Sequence, residues 1–117
     1  MRILIIDDEP LTLRATVRAL AAAGHRVHGA KDFNHAGYLL VHADPKYDAI
    51  VTDHDLVGTR SGTSDAWGRR HLLGGPAIVI TFTGNPADAR RDAPEGALIV
   101  KKPDIQRVIA LLSEAAP

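Results

Sequence analysis

Five side chains carry groups suited to chemistry and stand at comparable places in the chain. Asp7 and Asp8 follow the apolar run at 3–6, and Asp53 follows Ala49-Ile50-Val51-Thr52. Thr83 closes a run at 77–82, and Lys102 follows a run at 97–100. A carboxylate that ends a buried strand can be a general base, a metal ligand or a phosphoryl acceptor. It can equally be a helix cap or a solvated loop residue, and for one aspartate alone the plainer reading wins. Five such groups, all just past apolar runs, shift that balance.

The runs must be positioned by a sheet. Residues 3–6 are all large and apolar without alternation, the pattern of a central parallel strand buried on both faces. Pro10 suits the first turn of a helix, with Asp8 and Glu9 at its positive end. Leu13, Val17, Leu20 and Ala21 share one face of that helix, Arg14 and Arg18 lie opposite, and Gly24 supplies the stop. Residues 26–30 read as a weak edge strand. Asp32 or Asn34 can cap a second helix carrying Ala36, Leu39 and Leu40, which Pro45 ends.

The Asp53 strand is followed by a glycine- and serine-rich loop at 58–64 and a helix over 65–73, weakened by Gly68 and ended by Gly74-Gly75-Pro76. A fourth strand (77–82), at most a short helix before Gly96, a fifth strand (97–100) and a helix over 104–115 complete the chain. That last helix carries Ile105, Val108, Ile109 and Leu112 on one face. The pattern predicts one α/β domain over 1–117, a doubly wound (βα)₅ unit with a parallel five-stranded sheet.

In the strand order 2-1-3-4-5 the switch point lies between strands 1 and 3, and every group named above falls at the same edge. Asp7, Asp8 and Asp53 then converge. Each like-charge pair about 4 Å apart costs roughly 4 kcal/mol at an effective dielectric near 20. An oxygen-seeking cation offsets this, and Mg²⁺ with carboxylates, waters and phosphate oxygens is the natural candidate. Lys102 adds a point charge for a phosphoryl oxygen, Thr83 a hydroxyl, and Gly84 room for a ligand. Such a pocket can hold an aspartyl phosphate.

Composition excludes other classes. With 117 residues, 45% hydrophobic and 24% charged, the chain reads as one soluble globular domain. Lys+Arg and Asp+Glu are both 14, so no global charge favours nucleic acid or an anionic membrane. There is no cysteine, hence no thiol chemistry. Asp7-Asp8-Glu9 interrupts the N-terminal apolar run too early for a signal sequence, and no stretch could span a bilayer. A cytoplasmic site fits. Of six histidines, none pairs at i, i+4 spacing; five read as solvated, while His54, beside Asp53, can line the pocket.

Four motifs in order, Ile-Leu-Ile-Ile-Asp-Asp-Glu-Pro at 3–10, Tyr-Asp-Ala-Ile-Val-Thr-Asp at 47–53, Thr-Gly-Asn-Pro at 83–86 and Lys-Lys-Pro at 101–103, resemble the receiver domain of two-component response regulators. The resemblance runs from the first strand to the last helix and implies a flavodoxin-like fold. It implies that Asp53 accepts phosphate from a phosphohistidine on a sensor histidine kinase or histidine phosphotransfer protein. It implies Mg²⁺ on Asp8, Asp53 and the backbone carbonyl of Asp55, with Asp7 acting mostly through water, and Lys102 as the family lysine. It implies a regulatory domain that signals to a downstream protein. Self-catalysed phosphotransfer and autodephosphorylation would be its only chemistry, it has no output domain in this chain, and a weak homodimer is compatible.

Departures from the family pattern bear on output. Val57 stands where a proline is usual, Ile99 replaces the aromatic three residues before the lysine, and Asp104 follows Pro103. A buried, inward Ile99 is expected, with the switch moved to the glycine-rich loop. Thr81, 21 residues before Lys102, has the usual spacing but would place bulky Phe82 beside the phosphoryl group. Thr83, 19 residues before Lys102 and followed by Gly84, avoids this and is the preferred switch hydroxyl. Two rivals remain: a receiver-like interaction module that takes no phosphate, and a small Mg²⁺-dependent phosphohydrolase. The second is suggested by the resemblance of residues 53–59 to the haloacid-dehalogenase nucleophile motif, which normally opens its chain.

Overall fold

In the computed structural model, residues 1–56, 61–75 and 77–115 are described. Strands β1 (Arg2–Ile6), β2 (Arg26–Ala30), β3 (Ala49–Thr52), β4 (Ile78–Thr83) and β5 (Leu98–Lys101) alternate with helices α1 (Pro10–Ala22), α2 (Phe33–His42), α3 (Gly62–Gly68), α4 (Pro86–Asp92) and α5 (Ile105–Ala115). All pairings are parallel and the order is β2-β1-β3-β4-β5, the expected flavodoxin-like sheet.

Alternate residues of the central strands feed two cores. Ile3, Ile5, Val51, Ile80 and Phe82 face Leu20 of α1 and Val108, Leu111 and Leu112 of α5. Leu4, Ile6, Ile50 and Val79 face Phe33, Ala36 and Leu40 of α2 and Ala66 of α3. The non-alternating run in β1 is thus buried on both sides, as its composition requires.

Register sets the level of the strand ends. Ile6, Thr52 and Thr81 lie side by side across β1, β3 and β4, and Thr83 pairs with Lys101. Pairing continues one residue further, with Asp7 N–H donating to the Ala30 carbonyl (3.1 Å) and Asp53 N–H to that of Ile6 (2.9 Å). Asp7 and Asp53 therefore leave neighbouring strands at one height.

The local devices that turn the chain are mostly those expected. Glu9 caps α1 by accepting from the N–H groups of Leu11 and Thr12, and Pro10 takes the first helical position. Gly24, at φ +97°, reverses the chain after α1 in a conformation that costs other residues a Cβ clash. Asp32, of the two candidates, caps α2.

Some expectations need correction. Ala21 is exposed; Thr16 is buried instead, its hydroxyl turned back onto the Thr12 carbonyl at 2.9 Å. The third helix begins at Gly62, not near 65, because the Ser61 hydroxyl caps it by accepting from Ser64 N–H (2.9 Å) and because Thr63 and Ala66 are buried. It ends at Gly68, and one turn of 3₁₀ helix, Arg70–Leu72, follows. The last three residues of the expected glycine-rich loop, 62–64, are therefore helix; residues 57–60, Val57 among them, lie outside the described residues, as does Pro76. Ile99 is half-buried, not inward, in a groove lined by Arg90, Ala93 and Pro94. Leu111 joins the buried face of α5.

Candidate functional site

At the carboxyl edge of the sheet the structure brings together Asp7, Asp8, Asp53 and Lys102. Ligand oxygens of the three aspartates lie within 4.8 Å of one another. Asp7 is almost fully buried, at 3% exposure, while Asp8 and Asp53 are half-buried. The Lys102 ammonium donates to Asp7 Oδ2 at 2.9 Å and stands 3.3 Å from Asp53 Oδ2. The lysine is delivered by β5, whose ladder continues as Lys102 N–H donates to the Thr83 carbonyl (2.8 Å).

Each carboxylate is aimed by the backbone. Glu9 N–H donates to Asp7 Oδ1 (3.0 Å), and His54 N–H donates to Asp53 Oδ1 (2.8 Å). Asp53 thus has one oxygen fixed toward the backbone and the other toward Lys102. Burial pushes the Asp7 carboxyl above the ordinary aspartate value, even though hydrogen bonds from Lys102 and Glu9 N–H pull the other way. Burial also works to lower Lys102, but the Asp7 hydrogen bond and the nearby negative charges outweigh it and hold the ammonium charged. Asp7 rises in spite of Lys102 because it is the more deeply buried partner.

Among the described residues, three carboxylates and the Lys102 ammonium meet at this point. An all-oxygen donor set of this size suits a hard divalent cation such as Mg²⁺, so the residues present fit the ion that the sequence implies. Asp55 is exposed two residues beyond Asp53.

Both candidate hydroxyls on β4 are buried. Thr83 Oγ1 accepts from Asn85 N–H at 3.1 Å. Thr81 Oγ1 lies 3.2 Å from Thr63 Oγ1 of α3. Phe82 turns to the opposite face, into the α1–α5 core, and Lys102 Nζ stands 6.0 Å from its ring centroid. The core absorbs the bulk of Phe82, so its size does not count against Thr81; what separates the two hydroxyls is that Thr81 is bonded to Thr63 while Thr83 ends the strand.

Two residues beside Asp53 are not apparent from motif reading. Gly62 opens α3 directly against the Asp53 carbonyl, where a Cβ would overlap the oxygen; its place in a glycine-rich run is the only signal. Thr63, fully buried, is bonded to His54 Nδ1 at 2.9 Å. Nothing in the sequence marks this threonine.

No family model matches the chain. The transcriptional regulatory protein TcrA of Mycobacterium tuberculosis is 34% identical over 88 residues, 75% of this chain; the aligned part is 34% of TcrA, so the chain spans about a third of that relative's length. The receiver domain of the hybrid histidine kinase CckA superposes with a TM-score of 0.77 at 25% identity, covering 97% of both chains. A response regulator from Burkholderia pseudomallei, solved with a phosphorylated aspartic acid, a calcium ion and citrate, gives 0.74 at 25% identity over 97% of this chain and 72% of that one. Fold, strand-end residues and relatives agree: the chain belongs to the receiver domains of response regulators.

Proposed function

We propose that the chain is a phosphoacceptor switch: Asp53 takes a phosphoryl group from a phosphohistidine on a sensor histidine kinase or histidine phosphotransfer protein. The observation that carries this reading is the convergence of three carboxylates on one point, with the Lys102 ammonium 3.3 Å from Asp53. The phosphoaspartate in the Burkholderia relative supports it. Asp8, Asp53 and the Asp55 carbonyl would hold Mg²⁺, with Asp7 acting through water. Bound there, the ion would neutralise carboxylate and phosphoryl charge.

The chain's own residues do the rest. An Asp53 oxygen forms the bond to phosphorus while the phosphorus–nitrogen bond of the donor breaks, and the electron pair stays on the imidazole nitrogen. Lys102 shifts from Asp7 and Asp53 toward a phosphoryl oxygen, supplying fixed positive charge to a transition state whose negative charge lies on those oxygens. The Thr83 hydroxyl accepts from Asn85 but retains its own hydrogen, which it can donate to a second phosphoryl oxygen. The new charge at the sheet edge then shifts the conformation read by a downstream protein.

With Mg²⁺ and acetyl phosphate, the chain should gain an acid-stable, hydroxylamine-labile phosphate. Asp53→Asn should abolish it, because an amide does not attack phosphorus. Equal labelling of Asp53→Asn and wild type would remove Asp53 from the role. No labelling of wild type under any Mg²⁺ concentration would favour an interaction module that takes no phosphate.

A further inference from the structure

We infer that His54 is a positioning residue for Asp53, locked by a buried chain of hydrogen bonds that runs from His54 through Thr63 to Thr81; this rests on Asp53 being the phosphoacceptor. The terminal torsion of an aspartate is broad and roughly two-fold, so packing alone does not choose the direction of its oxygens. Here the choice is made by His54 N–H, which fixes Oδ1 at 2.8 Å and leaves Oδ2 toward Lys102. A backbone N–H just past a strand is only as well aimed as the residue that carries it.

His54 is held at several points. Its carbonyl accepts from Gly62 N–H at 2.7 Å. Its ring, in a residue only 6% exposed, meets Thr63 Oγ1 at 2.9 Å through Nδ1, and Thr63 in turn meets Thr81 Oγ1 at 3.2 Å. Nε2 faces the Asp92 carboxylate of α4 at 3.7 Å, which favours the ring hydrogen on that side. Nδ1 then accepts from Thr63, and Thr63 accepts from Thr81, so one hydrogen fills each gap. The chain joins the end of β3 to α3 and β4 without passing through solvent. A buried polar chain stays in one arrangement because any other leaves a group unpaired. An apolar side chain at position 54 could fill the same space but would not fix it.

The test is the rate of phosphorylation by acetyl phosphate with Mg²⁺ in four variants. His54→Leu and Thr63→Val remove the bond; His54→Asn keeps a polar atom where Nδ1 stands, and Thr63→Ser keeps the hydroxyl. Slight misplacement of a reacting group has large kinetic effects, so the maximal rate should fall at least about tenfold in His54→Leu and Thr63→Val. The half-saturating donor concentration should stay within about twofold. Thr63→Ser and His54→Asn should recover most of the rate. If His54→Leu does not fold, the Thr63→Val and Thr63→Ser pair decides. Wild-type maximal rates in folded His54→Leu and Thr63→Val would overturn the positioning role and leave Asp53 as acceptor. Labelling that survives Asp53→Asn would instead sink the acceptor assignment.

Discussion

Gly62 and Asp53 meet backbone to backbone. The first residue of α3 lies so close to the acceptor's carbonyl that any Cβ would overlap the oxygen, and its N–H closes the turn on His54. The start of α3 is therefore packed onto the strand end that carries Asp53, and the contact is possible only for glycine.

Gly62→Ala sets two effects against each other. Helix propensity favours alanine by about 1 kcal/mol at most. Overpacking against backbone, which cannot rotate away, costs about 1–3 kcal/mol. The variant should be less stable in urea denaturation and should label more slowly. Gly68 is the control: at the other end of α3, a Cβ there would meet nothing within 4 Å. Gly68→Ala should hold or raise stability. A Gly62→Ala protein as stable as wild type would show that the contact can relax.

Mg²⁺ should stabilise the fold by binding the native carboxylate cluster and not the unfolded chain. At roughly a hundred times its Kd the ion adds about 2.7 kcal/mol. Asp8→Ala should remove most of this rise in Tm, because it takes one carboxylate out of the cluster that would hold the ion. An unchanged Mg²⁺ response in Asp8→Ala would move the ion elsewhere.

The apolar patterning made the topology legible, because strands buried on both faces and helices buried on one have different periods. The convergence of the charged groups was legible for the same reason: Asp7, Asp53 and Lys102 each stand where an apolar run stops, and parallel register brings such stops to one edge. What the pattern could not show was where α3 begins. Gly62, Thr63 and Ser64 are poor helix formers, and only the Ser61 cap and the burial of Thr63 turn them into a first turn. The partners of His54 were hidden likewise, since Thr63 is nine residues away and Thr81 is on another strand. The burial of Ile99 does not follow from its apolar run because β5 is an edge strand, so its side chain borders a groove instead of a core.

His25 should give stability a pH slope away from the site. Burial, and then the positive N-terminus 3.3 Å away, hold its pKa below the usual 6.5. The unfolded chain therefore binds more protons just below that value, so stability rises with pH through this window and falls on acidification. Subtracting the profile of His25→Asn from that of wild type should isolate this slope. A difference profile that is flat, or that falls with rising pH, would contradict it.

The switch should act on the α3 side. His54, Thr63 and Thr81 link the acceptor to α3 and β4, whereas on the β5 side Lys102 is the charged contact. Beryllofluoride with Mg²⁺ should slow amide exchange most in 53–56 and 61–66 and at Thr83 and Gly84, and less over 97–106 apart from Lys102. Dominant protection over 97–106 with α3 unchanged would place the output on the β5 face despite Ile99.

The most direct measurement is the position of the phosphate itself. After phosphorylation with acetyl phosphate and Mg²⁺, borohydride reduces an aspartyl phosphate to homoserine, which peptide mass spectrometry locates. Homoserine at position 53 alone is the expected result. Homoserine at Asp7, Asp8 or Asp55, or a phosphate that resists both hydroxylamine and borohydride, would contradict Asp53 as the acceptor.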